Sequence, residues 1–255
     1  VFASGIDPRI RQRRIEVRRR EGRRRLRLVV GALLSATAIA AAWGVSRSAL
    51  LDVDHVRLTG AEHTQPLSVI QTAGSLPGRP MVDLDEGGAA SQIERLPWVA
   101  DASVRRQWPN TVVIDVRERA PAASVPATGG GWALVDGTGR VLEPVADAPA
   151  DRPTLEGVTP AGEPGTEVAR STRAPLAVAR ALTPAMRLYV ATVERLDRGE
   201  LQLRLRSDGV VHLGNADALP AKLLAVETVL AHVGDADVVA TLDVRVPESP
   251  VLTRR

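Results

Sequence analysis

Four histidines, two neighbouring aspartates, two arginines and a glycine-rich segment are the residues of this 255-residue chain whose types invite chemistry. His55, His63, His212 and His232 lack the short mutual spacings that bring imidazoles onto one metal ion, and each reads as a lone surface histidine. Asp83 and Asp85 stand two apart, which puts paired carboxylates on one face of a strand. Helix capping accounts for them with fewer assumptions. Arg204 and Arg206 read as the solvated face of a strand. Gly129–Gly139 is glycine-rich but sits in a hairpin context, without the strand-to-helix setting of a dinucleotide fingerprint. The chain has no Gly-x-Ser-x-Gly elbow and no Walker loop. It also has no cysteine, which removes disulfides and thiolate nucleophiles or ligands. Neither catalysis nor a cofactor nor a resident metal is expected.

The element that must position everything else is the uncharged run 28–46, LVVGALLSATAIAAAWGVS, between Arg27 and Arg47. Its 19 residues span about 28 Å as a helix, close to the hydrocarbon thickness of a bilayer. Residues 1–27 carry eleven Arg against Asp7, Glu16 and Glu21, a formal +8, while the whole chain is only +3. The positive-inside rule places this basic tail in the cytoplasm and everything after Arg47 outside the membrane. A cleavable signal peptide is the main rival, because Ala38-Ile39-Ala40 offers small residues near the end of the run. The long basic region and an apolar run beyond the usual length of about 7–15 residues favour an uncleaved anchor. Beside a span, the arginines serve topology and attraction to anionic lipid heads rather than nucleic acid. Ala32, Ala36, Ala40 and Gly44 would let another helix approach closely, though an alanine-rich anchor reads the same way. Val1 in place of Met suits an alternative start codon or a trimmed chain.

About 205 residues then remain outside, enough for one large or two ordinary domains. Aromatics are few, so Ala, Val and Leu must fill the cores. Alternation over Val53–Thr59 predicts a strand before Gly60. A helix follows from Thr64 and Pro66 to Gly74, and a second, capped by Asp83 or Asp85, runs through Ile93 and Leu96 to Pro97. Two strands flank a Trp108-Pro109-Asn110 turn, giving the order βααββ. Pro121, Pro126 and Gly129–Gly131 mark a boundary. Beyond it come a hairpin around Asp136-Gly137-Thr138 and a Pro/Gly-rich stretch, 143–166, whose ordered island is Leu155-Glu156-Gly157. That stretch is either a loop or a flexible spacer. A helix over 175–196 broken at Pro184, strands over 201–206 and 210–213, a helix over 219–233 and a closing strand over 238–246 complete the chain. The fold class is α+β, with a single N-terminal transmembrane helix, a small βααββ domain and a larger β-rich domain with helices on one sheet.

Several motifs carry a resemblance: Val56-x-Leu58-x-Gly60, Leu96-Pro97-Trp98-Val99, Val104-Arg105-Arg106, Trp108-Pro109 and Val116-Arg117-Glu118-Arg119 with Pro121. Further along stand Leu134-Val135-Asp136-x-x-Gly139, Leu155-x-Gly157, Asp208-Gly209, Lys222-Leu223 and Leu242-Asp243-Val244-Arg245. Together they resemble the POTRA module and β domain of the FtsQ/DivIB family of bacterial cell-division proteins. The resemblance implies a cytoplasmic tail at 1–27, a transmembrane helix at 28–46, a POTRA domain at 50–120 and a β domain at 121–255. It also implies a non-enzymatic scaffold at the division septum, in complex with the bitopic proteins FtsB and FtsL. That complex controls the septal peptidoglycan synthase FtsW and its transpeptidase. The implied contact residues are Lys222, Thr241, Leu242, Asp243, Val244, Arg245, Val246, Pro247, Glu248 and Ser249, on a closing strand expected to form a sheet edge open to strand addition. Val112–Val116 or Val53–Leu58 would offer a second edge. The terminal Val246-Pro247-Glu248-Ser249-Pro250 departs from relatives, which often carry an aromatic there. The competing readings are a membrane-anchored envelope enzyme and a POTRA-containing export factor.

Overall fold

A computed structural model describes residues 8–74, 76–233 and 239–255. Val1, Asp7 and Val238 lie outside the described residues, as do the side chains of the arginines at 9–24. Two compact units divide the rest. One gathers the long helix and the chain up to Arg57 with the segments ending at Glu86 and Val113. The other holds Leu58–Gly74, Gly87–Val104 and Ile114–Arg255.

The apolar run is the second half of a continuous helix, α1 (Pro8–Ser46). Its Arg25–Ser46 portion is, among the described residues, the one helix long and apolar enough to cross a membrane, and none of that surface is covered by the rest of the protein. The predicted βααββ order follows. β1 (His55–Thr59), α2 (Pro66–Thr72) and α3 (Glu86–Ile93) precede β2 (Val99–Gln107) and β3 (Thr111–Glu118). Pro66 opens α2 at its first position, where a missing N–H costs nothing. Of the two caps expected, Asp83 sits in a short 3-10 turn, Met81–Asp83, and Asp85 directly precedes α3. The sheet order is β1-β3-β2, so Val112–Val116 occupies the central strand rather than an edge; β1 is an edge. Val112, Ile114 and Val116 are buried accordingly.

Nine strands make the second sheet, in the order β12-β11-β10-β9-β8-β7-β4-β5-β6. Two expectations fail here and one is refined. The segment between Pro121 and Pro126, expected as a break, is itself a strand, β4 (Pro121–Pro126): the two prolines sit at its ends, and Ala123, Ser124 and Val125 between them are buried. The predicted long helix stops at Tyr189 after α4 (Arg173–Ala181) and α5 (Pro184–Tyr189). Residues Val190–Arg195 form β8 between β7 (Thr154–Glu156) and β9 (Leu201–Leu205). β-branched Val190, Thr192 and Val193 fit a pleated, covered surface better than a helix. The closing strand, finally, is two. β11 (Val239–Asp243) ends early, the chain turns through Pro247 and Pro250, and β12 (Val251–Arg254) returns beside it. Prolines cannot donate to a ladder, which forces that turn.

The hairpin around Asp136 forms as predicted, β5 (Trp132–Asp136) pairing with β6 (Val141–Val145). Residues 143–166 take in the end of β6 and the whole of β7, at the island expected around Leu155, and the loops about them are tied to the sheet: Thr128 N–H donates to Ala161 C=O at 3.1 Å, and Gly165 N–H to Val141 C=O at 2.7 Å. One core runs under the sheet, where α4 buries Leu176, Val178 and Ala179 and α6 (Leu219–Val233) buries Leu223, Val226 and Leu230. Each such leucine contributes about 1.5–3 kcal/mol.

Candidate partner-binding surface

At one end of the nine-stranded sheet, β11 is flanked on both sides. It runs parallel to β10 (Val210–Gly214) and antiparallel to β12, with Leu242 opposite Leu252 and Asp243 opposite Val251. The sheet's edge is therefore β12, not the strand carrying the predicted contact residues. Beside it, Leu224, Ala225 and Val229 of α6 face Pro247 and Pro250 of the turn across a groove of about 360 Å³. Leu224 is 65% exposed, Val246 58% and Val251 63%, an unusual concentration of bare apolar side chains.

The predicted residues fall into three groups. Leu242 and Val244 are fully buried and hold the strand in the core; Val244 N–H donates to His212 C=O at 3.0 Å. Thr241 is half-buried in β11. Asp243 and Arg245 pair with each other, Nη2 to Oδ2 at 2.6 Å and Nε to both carboxylate oxygens at 3.1 and 3.0 Å. The Arg245 guanidinium holds the Asp243 carboxyl below its ordinary range against a smaller opposing effect of burial. Arg245 is exposed, so the pair faces solvent as a closed, neutral unit. Val246, Glu248 and Ser249 are exposed and Pro247 half-buried, and together they form the turn bordering the groove. Lys222 stands apart. It is only 3% exposed, and its ammonium donates to the Asn215 backbone oxygen at 2.9 Å and side-chain oxygen at 3.0 Å. As placed, it fixes the loop before α6 and presents no charge to a partner. Leu224, Val251 and Leu252 were missed by sequence reasoning. The signal was available in Leu224, which falls off the buried spacing of α6, and in the apolar pair after Pro250.

A second set of interactions sits in the larger unit around β3. Glu118 accepts from the backbone N–H of His63 (2.9 and 3.0 Å) and of Thr64 (2.7 Å), and from His63 Nδ1 at 2.9 Å. Burial pushes its carboxyl up, but these donors outweigh it and hold the group down at about 2. The His63 ring stacks on Trp98 at 4.3 Å, so this histidine lies at the surface as the sequence suggested but is held by Trp98 and Glu118. Next along, Arg119 Nη1 meets Asp136 Oδ2 at 2.7 Å, and its Nε donates to Val99 C=O at 2.9 Å. Asp136 Oδ1 accepts from Thr138 N–H, Thr138 Oγ1 and Arg140 N–H. Burial opposes ionisation of Asp136, and the Thr138, Arg119 and Arg140 donors more than offset it, lowering its carboxyl. Trp98 packs with Leu134 and Leu142 beside this pair. Among the described residues, no three His, Asp or Glu gather as a metal ion requires.

These contacts join residues from two recognisable modules. The family model described as "POTRA domain, FtsQ-type" matches residues 51–119, and that described as "Cell division protein FtsQ/DivIB, C-terminal" matches residues 123–245. The chain belongs to the FtsQ/DivIB family. Its relatives include the cell division protein FtsQ of Corynebacterium glutamicum, 28% identical over 209 residues covering 81% of this chain and 90% of that one. The FtsQ of Streptomyces bingchenggensis is 28% identical over 235 residues (91% and 87%), and that of Streptomyces collinus 29% over 240 (90% and 89%). This FtsQ-family chain is thus a cell-division protein that carries, among its described residues, one helix long and apolar enough to cross a membrane ahead of its two modules. Arg119, the last residue of the POTRA match, and Asp136, in the C-terminal match, therefore form a polar tie between the two matched segments, beside the bond from Arg140 Nη2 to Arg95 C=O at 2.9 Å.

Proposed function

We propose that this protein is a non-enzymatic scaffold of the division machinery. Its basic tail lies in the cytoplasm, its two domains lie outside, and it is drawn to the septum. It binds bitopic partners of the FtsB and FtsL type and through them influences septal peptidoglycan synthesis by FtsW and its transpeptidase. The domain limits we adopt are 1–27, 28–46, 50–120 and 121–255. The observation that carries this reading is the open edge of β12 beside the apolar groove of α6. An edge strand offers backbone N–H and C=O groups to an incoming strand, and the groove offers an apolar seat for side chains or a short helix beyond it. The contact set proposed from Thr241–Ser249 then divides: Leu242 and Val244 support β12 from within, while Arg245–Ser249 meet the partner. Lys222 acts through the loop it holds.

The test is co-purification of the full chain with its FtsB-type partner, comparing the wild type with Leu224→Glu and Val251→Glu. Both side chains are exposed, so folding is expected to survive. A charge buried against an apolar partner should weaken binding at least about tenfold, or 1.4 kcal/mol. Unchanged binding by both variants would remove this surface from the partner interface.

A further inference from the structure

The smaller unit leaves three apolar side chains bare close to where the membrane helix ends. Trp108, on the turn between β2 and β3, is 54% exposed, Leu50 78% and Val82 41%. They lie on separate segments, and a network of short bonds gathers those segments at the end of α1. Arg47, the first residue past the helix, reaches Asp83 at 3.3 Å, which puts Val82 next to the exit of the span. Val53 N–H donates to Arg79 C=O and Gly78 N–H to Val53 C=O, both at 2.9 Å. Asp54 N–H donates to Asn110 C=O at 2.9 Å, and Asn110 Nδ2 returns to Asp54 Oδ2 at 2.9 Å, anchoring the turn that carries Trp108.

We infer that this end of the POTRA module is a membrane-interface surface, seating Trp108, Leu50 and Val82 at the headgroup–acyl boundary of the leaflet that α1 exits. Continuity with the span names the bilayer as the occupant. Trp43 in the last turn of α1 is 64% exposed, with the Arg47 guanidinium 5.0 Å from its ring, the aromatic-and-arginine pairing that suits a membrane–water interface. Trp108 supplies a second indole on the same unit, with an apolar body for the acyl boundary and an N–H for the headgroups. Beyond the span, this unit carries five Asp and Glu against five Arg, so it has no net charge to steer it to anionic lipid. Apolar partition drives the contact, and it resists salt. Two anchoring points, helix and wedge, would restrict how the module tilts on the membrane, a role independent of β12 and its partner.

The chain has no cysteine, so Val82→Cys creates a single labelling site. The full chain with a nitroxide there is placed in nanodiscs of phosphatidylethanolamine and phosphatidylglycerol. Collision with oxygen, which concentrates in lipid, is compared with collision with a nickel chelate, which stays in water. Glu163→Cys, on an exposed loop of the β domain, is the aqueous reference. The expected result is an oxygen-to-nickel ratio at position 82 above the reference, unchanged in high salt and reduced by adding Trp108→Ser. A ratio equal to the reference overturns the inference. So does a high ratio that survives Trp108→Ser in a protein whose urea midpoint is unaltered, or one that appears only when a disc holds two chains.

Discussion

Arg119 and Asp136 form an ion pair at 2.7 Å, with their side chains 19% and 5% exposed. Seventeen residues apart, they close the passage from β3 into the hairpin β5–β6. The geometry is fully used: one carboxylate oxygen takes the guanidinium, the other three local donors. Removing either partner strands the other in a site built for charge. Arg119→Ala and Asp136→Ala should each cost about 3–5 kcal/mol, and the double variant clearly less than their sum. Urea unfolding of the full chain in nanodiscs, followed by tryptophan emission, measures both.

Glu118 makes stability depend on acid. Its carboxyl titrates at about 2 in the folded chain against an ordinary 4.5. The depressed value means that the folded state binds its proton less readily than the unfolded one. The stabilisation is complete above about 4.5 and is lost as pH falls towards 2. Glu118→Gln should flatten that part of the pH–stability curve and lower the urea midpoint at neutral pH by the loss of buried acceptors, about 1–3 kcal/mol.

Gly60 and Gly157 end the strands before them with φ of +79° and +68°. A methyl group at Gly60 would overlap the Val116 carbonyl oxygen, and one at Gly157 the Arg195 carbonyl oxygen. Gly60→Ala and Gly157→Ala therefore combine left-handed strain with a backbone collision. Each should cost at least about 1–3 kcal/mol and lower the melting temperature.

Lys222 and Arg245 should separate in their effects. Lys222→Ala leaves Asn215 without its buried donor, so the urea midpoint falls, by about 1–3 kcal/mol, and partner affinity follows the loss of structure. Arg245→Ala removes an exposed side chain, so the midpoint should hold while affinity for the FtsB-type partner drops. An Arg245→Ala protein that melts early and binds normally would reverse the two roles.

Local information was enough for the long apolar helix, whose length and composition need no tertiary context, and for the βααββ order, whose turns carry their own Pro and Gly signals. The same holds for the buried stripe of α6, because 3.6-residue spacing records which face is covered. Family motifs such as Leu96-Pro97-Trp98-Val99 also stand in the sequence as they do in the fold. Other features were decided only by what packs alongside. Val190–Arg195 reads as helix until β7 and β9 provide ladders on both sides. That Lys222 is buried, its ammonium donating to Asn215, shows only in the fold. Arg119 and Asp136 are two ordinary motif residues until the fold brings them together. The end of the sheet was half legible: Pro247 and Pro250 marked a break, but only the return of β12 shows that Thr241–Asp243 lies inside the sheet and that the edge is four residues long. Spacing along a chain encodes which face of an element is buried. Which neighbour buries it, and which edge stays open, depends on contacts between residues far apart in sequence, and no local pattern records those.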